Sequence, residues 1–291
     1  MRVQKSFAGE AGNGGGILYV VATPIGNLED ITLRAIRALQ EADIIAAEDT
    51  RHTRKLLSHL DIPASRLTSY HEHNKETSGN RLIGQLKEGK TVALVSDAGT
   101  PAISDPGAEL VRAAVEEDIR VVPVPGASAV LSALVASGLP TDEFYFAGFL
   151  PRDNRGLADR LERLRTVTAT LVCYEAPHRI VHTLEKMMEA WGDRRIALAR
   201  ELTKKHEEIC RGSISECLRH LAGHPPRGEY CIVIEGASAE PQEGGWWEGL
   251  DVPAHVEHYI RQGLDKKEAM RLAARDRGVS RRDIYSEMVD R

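Results

Sequence analysis

The residues best suited to chemistry gather in short polar clusters, each behind an apolar run. The longest is Ser96-Asp97-Ala98-Gly99-Thr100-Pro101-Ala102-Ile103-Ser104-Asp105-Pro106-Gly107. Ser96, Asp97, Thr100 and Asp105 offer oxygens to a polar ligand. Gly99 and Gly107 let backbone approach it closely, and Pro101 and Pro106 fix the path. The same stretch also reads as a loop ending in a helix start, with Asp105 as N-cap and Pro106 at the first helical position. A second cluster, Glu48-Asp49-Thr50-Arg51-His52, puts four titratable or charged groups into five residues. The plainer reading is a helix N-terminus, where the dipole favours acidic residues. A third is His71-Glu72-His73-Asn74. His-x-His can ligate a metal, but spacing fixes no third ligand, so substrate contact is the expected role and no metal is expected. Tyr174 to Arg179 and Arg200 to Glu208 repeat the pattern further on.

Such clusters need a strand before them and a helix after them. Ile17 to Ala22 is a continuous apolar run entering Thr23-Pro24-Ile25-Gly26-Asn27-Leu28, and a glycine turn after a first strand is a common nucleotide-binding position. Neither G-x-G-x-x-G nor G-x-x-x-x-G-K-[ST] occurs. Ile44–Ala47, Arg66–Tyr70, Val92–Val95 and Arg120–Val124 read as further strands, the last leading into Pro125-Gly126-Ala127-Ser128-Ala129. Helical patterns separate them. The repeat predicts an α/β fold with a mainly parallel sheet and its loops on one edge. Residues 1–15 read as a disordered, glycine-rich extension, 16–138 as a first α/β domain and 139–236 as a second. In the second, strands are predicted near 144–149, 170–174, 195–200, 207–211 and 231–235, with helices near 157–164, 178–191 and 213–221. A Gly/Pro/Glu-rich linker, 237–250, carries Trp246-Trp247. Three short helices in 251–291 complete the chain.

Composition narrows the function. Of 291 residues 42% are apolar and 28% charged, with a net charge of −5. A protein that coats nucleic acid through charge alone is usually basic, which leaves room only for a local basic face. Arg261 to Arg291 is one, with nine Lys/Arg against six Asp/Glu. Cys173, Cys210, Cys217 and Cys231 form no C-x-x-C pair, as expected of reduced thiols in a cytosolic protein. No run has the length of a membrane span, and no signal-peptide core is visible. The expected place is the cytoplasm.

Six segments in order carry a family likeness: Ala22–Leu28, Glu48–Arg51, Tyr70–Asn74, Ser96–Gly107, Tyr174–Arg179 and Leu202–Glu207. From residue 17 to about 235 the chain resembles the tetrapyrrole-methylase superfamily of S-adenosylmethionine-dependent methyltransferases. Porphyrin-modifying members carry Gly-Asp-Pro where this chain has Gly99-Thr100-Pro101, and their first loop is richer in glycine. Both differences favour the branch that methylates the ribose 2′-oxygen of a cytidine in 16S rRNA of the small ribosomal subunit. The resemblance implies two α/β domains with the cofactor in the cleft between them, a homodimer, and C-terminal helices that bind RNA. It sets S-adenosylmethionine against Pro24, Ala98, Gly99, Thr100, Ile103, Ser128, Ala129, Glu175 and Leu202. Asp49 is the first candidate base, because its strand-end position matches an acidic residue at the acceptor site of the porphyrin relatives. His71 and His73, with Glu72, are the alternatives. Arg51 and Arg179 are expected to hold phosphates bidentately and Lys204 as a point charge, with Arg271, Arg275, Arg281 and Arg282 facing RNA. For Arg179 the alternative is an ion pair with Glu201 between the domains. Two other readings stay open. One is methylation of a tetrapyrrole or other small metabolite, which gives the basic C-terminal helices little purpose. The other is a non-catalytic RNA-binding or assembly factor, which gives the polar strand-end clusters none.

Overall fold

A computed structural model of the chain describes residues 3–4, 6, 15–238, 247, 249–277, 279 and 281–289, with backbone alone at 275, 281, 282 and 289. Most of the expected N-terminal extension and of the 237–250 linker, including Trp246, lies outside the described residues. The chain forms two compact units, one ending at Ala237 and one beginning at Ser238.

The first unit holds two sheets. One comprises β1 (Ile17–Val21), β2 (Ile44–Ala47), β3 (Leu67–Ser69), β4 (Thr91–Val95) and β5 (Arg120–Val124), all parallel, in the order β3-β2-β4-β1-β5. Both faces are covered, which is why these strands read as unbroken apolar runs. Side chains still alternate. Ile45, Ala47, Ala93 and Val95 meet α1 (Leu33–Glu41) and α2 (Thr50–His59). Ala46, Val92 and Leu94 meet α3 (Lys75–Lys87) and α4 (Ala108–Glu116) through Leu82, Leu86, Leu110 and Ala114. From β1 the chain crosses to β2 in one direction, and from β4 to β5 in the other. Adjacent strands whose connections leave in opposite directions mark the crevice where open α/β sheets bind ligands, and β1 and β4 are such a pair.

Helix α5 (Ala129–Ser137) belongs by sequence to the first half but covers the second sheet, through Val130, Ala133 and Leu134 against Val172, Ala197 and Val233. That sheet comprises β6 (Phe144–Phe149), β7 (Thr170–Glu175), β8 (Arg195–Arg200), β9 (Glu208–Ser213) and β10 (Tyr230–Ile234), ordered β6-β7-β10-β8-β9. Only the β6–β7 pair is parallel. Its other face is closed by α6 (Asn154–Leu164), α7 (Ile180–Trp191) and α8 (Ile214–Gly223) through Leu157, Leu161, Leu184, Met187 and Cys217. All four cysteines are free, and burial pushes the Cys217 and Cys231 thiols up to about 12. Those two thiols are protonated and unreactive.

The second unit packs α9 (Val252–Arg261), α10 (Lys266–Arg277) and α11 (Arg281–Val289) around Val256, Ala269, Met270, Ala273 and Ile284. A polar cluster supplements this small core. His255 is fully buried. Arg277 Nε donates to its Nδ1 at 3.0 Å, so the ring proton sits on Nε2, 3.3 Å from Asp276 Oδ2. Tyr259 donates to the same carboxylate, and Trp247 stacks on the His255 ring at 5.6 Å. Burial, and then the Arg277 charge, lower the His255 pKa below its ordinary value of 6.5. No helix among the described residues is long and apolar enough to cross a membrane.

Candidate active site

The five parallel strands send their outgoing loops to one edge. At the β1–β4 crevice Thr23 N donates to Gly99 O at 2.8 Å and Gly99 N to Thr23 O at 3.0 Å, while Thr23 Oγ1 donates to Ser96 O at 3.2 Å. Beyond this tie the loop coils through four left-handed residues: Gly99 (φ +82°), Ala102 (+69°), Ser104 (+61°) and Gly107 (+138°). An alanine or serine held there costs about 1–2 kcal/mol, and such strain concentrates at functional sites. The coil also displaces the helix start. Gly107 is the N-cap and α4 begins at Ala108, so the expected cap at Asp105 does not form. Asp105 is released for another role.

Loops from both sheets converge on the crevice. A Cβ added to Gly26 would lie 2.4 Å from Lys204 Cγ and 3.0 Å from Leu202 O, and Asn27 N donates to Thr203 Oγ1 at 2.9 Å. A cavity of about 300 Å³ opens among Thr32, Gly126, Ala127, Ser128, Leu131 and Thr203. That volume is at the lower end of small-molecule pockets. Gly99 adjoins it, with the Ala127 carbonyl 3.7 Å from where a Cβ would stand. Pro24, Ala98 and Thr100 flank the Thr23–Gly99 tie. Ile103 is half exposed on the loop beyond. Ser128 caps α5 beside Ala129, and Leu202 packs among the residues facing α5.

Four carboxyls stand at the ends of β2 and β4 and differ in character. Arg51 grips Asp49, with Nε 3.0 Å from Oδ1 and Nη2 2.7 Å from Oδ2, and its backbone N–H adds a bond to Oδ1 at 2.8 Å. These bonds hold the Asp49 pKa well below the usual carboxylate range. A carboxylate so held is a poor base, against the expectation that Asp49 takes the proton. Asp105 is the reverse case: burial pushes its pKa up to about 6, the Ser96 hydroxyl opposing and the Asp97 charge adding. Burial likewise raises Glu48, with Asp105 and Asp97 contributing. Asp49 N donates to Asp97 Oδ1 at 2.9 Å, and His52 Nδ1 lies 3.5 Å from Asp97 Oδ2. Asp49, His52 and Asp97 bring ligand-type atoms within 4.8 Å of one another, with both Asp49 oxygens already engaged by Arg51.

His71 and His73 stand at the neighbouring β3 end, where Tyr70 N donates to Ala47 O at 2.8 Å; their rings are 6.0 Å apart. Other expectations fail on geometry. Glu175 is buried, and its carboxylate accepts from Ala176 N (2.8 Å) and Thr183 Oγ1 (2.7 Å), with Arg179 at 3.5 Å. Arg179 donates to Leu150 O (3.2 Å) and Pro151 O (2.6 Å). Both side chains pin their own turn. Arg179 does not pair with Glu201, whose partner is Lys204 at 3.0 Å. Arg271 pairs with Glu268, and the side chains of Arg275, Arg281 and Arg282 lie outside the described residues.

Helix α2 supplies a feature that sequence reading passed over. Thr50–His59 carries three Lys/Arg, two His and no Asp/Glu. Arg51, Arg54, Lys55, Ser58 and His59 share one outward groove. Arg51 sits in the first turn, where the helix dipole disfavours cations, and Arg54 follows at the start of the second. Arg54 and Lys55 have no ion-pair partner among the described residues.

Known proteins with this architecture divide by what they modify. A uroporphyrin-III-C-methyltransferase from Thermus thermophilus shares the fold with a TM-score of 0.54 and 24% identity, over 75% of this chain and 94% of its own. The ribosomal RNA small subunit methyltransferase I of Halalkalibacterium halodurans is 54% identical over 98% of both chains. That of Bacillus subtilis is 52% identical over 98% of this chain and 97% of its own. Residues 17–218, which hold both sheets up to α8, match the family described as Tetrapyrrole (Corrin/Porphyrin) Methylases. With the parallel sheet, its ligand crevice and this match in agreement, the chain belongs to the tetrapyrrole methylase family.

Proposed function

We propose that the chain transfers a methyl group from S-adenosylmethionine to RNA of the small ribosomal subunit, at the ribose 2′-oxygen of a cytidine in 16S rRNA. The reading includes a cytoplasmic homodimer. The observation that carries it is the cationic stripe of α2, which starts at the carboxyl cluster and runs outward in a chain of net charge −5. Fold alone does not separate an RNA from a tetrapyrrole substrate. A row of cations beside the reacting edge serves a phosphate backbone and has little use for a small metabolite. The relatives from Halalkalibacterium halodurans and Bacillus subtilis carry RNA methyltransferase names. In this reading α10 and α11 hold more of the same RNA.

The crevice fits the cofactor. Gly99 leaves backbone open to a ligand, and Ser128 and Leu131, which line the cavity of about 300 Å³, offer a hydroxyl and apolar surface; in this reading Pro24, Ile103, Ala129 and Leu202 add apolar contacts. S-adenosylmethionine supplies, when bound, a methyl group on a sulfonium, already activated for displacement. The chain must position a ribose hydroxyl and take its proton, since a neutral hydroxyl is a weak nucleophile. Asp105 accepts that proton. It is ionised at neutral pH and far more basic than Asp49. The negative charges of Asp97 and Glu229 add to that basicity. Asp49 anchors Arg51 at the root of the cationic stripe, and His71 and His73 flank the acceptor side.

The test is to incubate the protein with methyl-labelled S-adenosylmethionine and, separately, small-subunit particles, free rRNA and a metabolite extract. Label on a cytidine ribose of the particle or its RNA is the expected outcome. Label confined to the low-molecular-weight fraction overturns the reading in favour of a metabolite methyltransferase.

A further inference from the structure

Phe149 is 61% exposed, unusual for a large aromatic ring in a chain with four phenylalanines. Its position follows from one irregularity. In a regular strand Phe146 and Gly148 share a face and Phe149 points to the other. Here the β6–β7 register shifts between Phe146 and Gly148: Phe146 opposes Val172, Gly148 opposes Cys173, and Phe149 opposes Tyr174. One extra residue reverses the phase. Ala147 goes to the core shared with α6 and α7, while Phe146 and Phe149 both fall on the α5 side. Gly148 absorbs the bend at φ +68°. The bulge thus carries an apolar ring to the side of the sheet that faces the crevice.

Its surroundings connect it to the reacting groups. The Phe149 and Tyr174 rings are 5.3 Å apart, and Phe146 braces Tyr174 from 5.2 Å. Asp105 is near enough to act electrostatically on Tyr174. Ser104, one residue before Asp105, has its Oγ 3.5 Å from where a Gly148 Cβ would stand. Arg152, three residues beyond Phe149, is exposed and has no ion-pair partner among the described residues. An open ring held by a second ring, with an exposed arginine three residues on and a carboxyl acting on the second ring, suits an unstacked nucleotide: base on ring, phosphate on cation.

We propose that Phe149 is a stacking platform for an unpaired nucleobase of the RNA substrate, seated so that the ribose to be methylated faces the carboxyl cluster. The proposal rests on the RNA methyltransferase reading above. The platform is a positioning device that needs only a π-face, so it does not select the base.

The full-length protein with Phe149→Ala, Phe149→Leu and Phe149→Trp tests it. The readouts are KM and kcat for small-subunit particles, S-adenosylmethionine affinity, oligomeric state and thermal melting. Stacking lost by alanine substitution corresponds to roughly 5- to 150-fold. Phe149→Ala is expected to raise KM for the particle within that range, with kcat changed less and cofactor affinity, assembly and melting unchanged. Tryptophan restores KM and leucine does not. Rescue by leucine overturns stacking in favour of plain apolar contact. A changed oligomeric state gives the ring to a second copy of the chain. Wild-type KM in Phe149→Ala, beside an active wild-type enzyme, sinks the platform alone. A wild-type protein that methylates no RNA sinks the functional reading and the platform with it.

Discussion

The carboxyl cluster at the edge of the parallel sheet and the His255 cluster of the C-terminal unit both withdraw titratable groups from water, and handle them oppositely. Around His255 each charge meets a complement. Arg277 donates to one ring nitrogen, Asp276 faces the other, and Tyr259 adds a donor to that carboxylate. At the sheet edge, carboxyls are gathered beside one another. Arg51 holds Asp49 and His52 faces Asp97, while burial dominates at Asp105 and Glu48. A paired buried group holds a fold, because unpairing it is costly. A buried carboxyl kept near its point of neutralisation holds a place for a proton. The backbone follows the same division, with Ala102 and Ser104 left-handed in the loop that carries Asp105.

The sharpest way to break this contrast is Asp105→Asn. If Asp105 takes the ribose proton, single-turnover methylation falls by roughly two to four orders of magnitude, while cofactor affinity is kept. Stability moves the other way. The folded pKa of about 6 lies above the ordinary 3.8, so the folded state binds the extra proton, and the contribution present below 3.8 is lost as pH rises through about 6. The variant should melt above wild type at pH 7.5 and level with it at pH 3.5. A fully active variant, or one less stable at pH 7.5, removes Asp105 from the role.

Asp276→Ala probes the paired cluster. It removes the carboxylate that His255 and the Tyr259 hydroxyl face, at a cost of about 1–3 kcal/mol. Trp247 fluorescence should report earlier melting of the C-terminal unit, with S-adenosylmethionine affinity unchanged. The folded His255 pKa lies below 6.5, so the unfolded state binds the extra proton and this cluster weakens as pH falls below 6.5. That is the sign opposite to Asp105. Weaker cofactor binding in Asp276→Ala would erase the division between the two regions.

Gly99→Ala should have the smallest effect. A Cβ there meets only ordinary contacts, 3.4 Å from Ile25 Cγ2 and 3.7 Å from Ala127 O, so the cost is that of φ +82°, about 1–2 kcal/mol. That cost falls on the folded chain, so thermal melting should show stability reduced by about that amount, and calorimetry with S-adenosylmethionine should show reduced affinity where the added Cβ meets the ligand. Undiminished affinity would mean that the loop's left-handed path does not serve the ligand.

The sheet edge was legible because each buried strand is a continuous apolar run ending in a polar cluster, and β1, β2 and β4 begin or end within a residue of their predicted limits. Roles inside the clusters were less so. Asp105-Pro106 carries the signature of a helix start, and nothing in the residue types announces that Ala102 and Ser104 turn left-handed and carry the helix start on to Ala108. Glu175 and Arg179 have the types of a ligand-binding pair, but at spacing i, i+4 they close on each other and on their own turn. Phe149 reads as one more apolar strand position, because a bulge that reverses strand phase leaves only a glycine as its mark. Of the cations of α2 only Arg51 stood out in the sequence, because nothing there sets the helix's first turn beside four carboxyls.

Strand order also bears on how the chain is made. β1 lies in the middle of its sheet, between β4 and β5, yet it is the earliest strand synthesised. One of its edges waits for β4 and the other for β5, roughly 100 residues later, about 5–20 s at ordinary rates of translation. The second sheet reverses the problem. β7 and β8 are not neighbours and stay apart until β10, the last strand, slides between them. Each sheet therefore closes late, the first by adding β4 and then β5 and the second by inserting β10, and until then the nascent chain carries open strand edges of the kind that recruit other chains. A ribosome that stalls after Arg200 would leave a complete first sheet beside a second still lacking its middle strand.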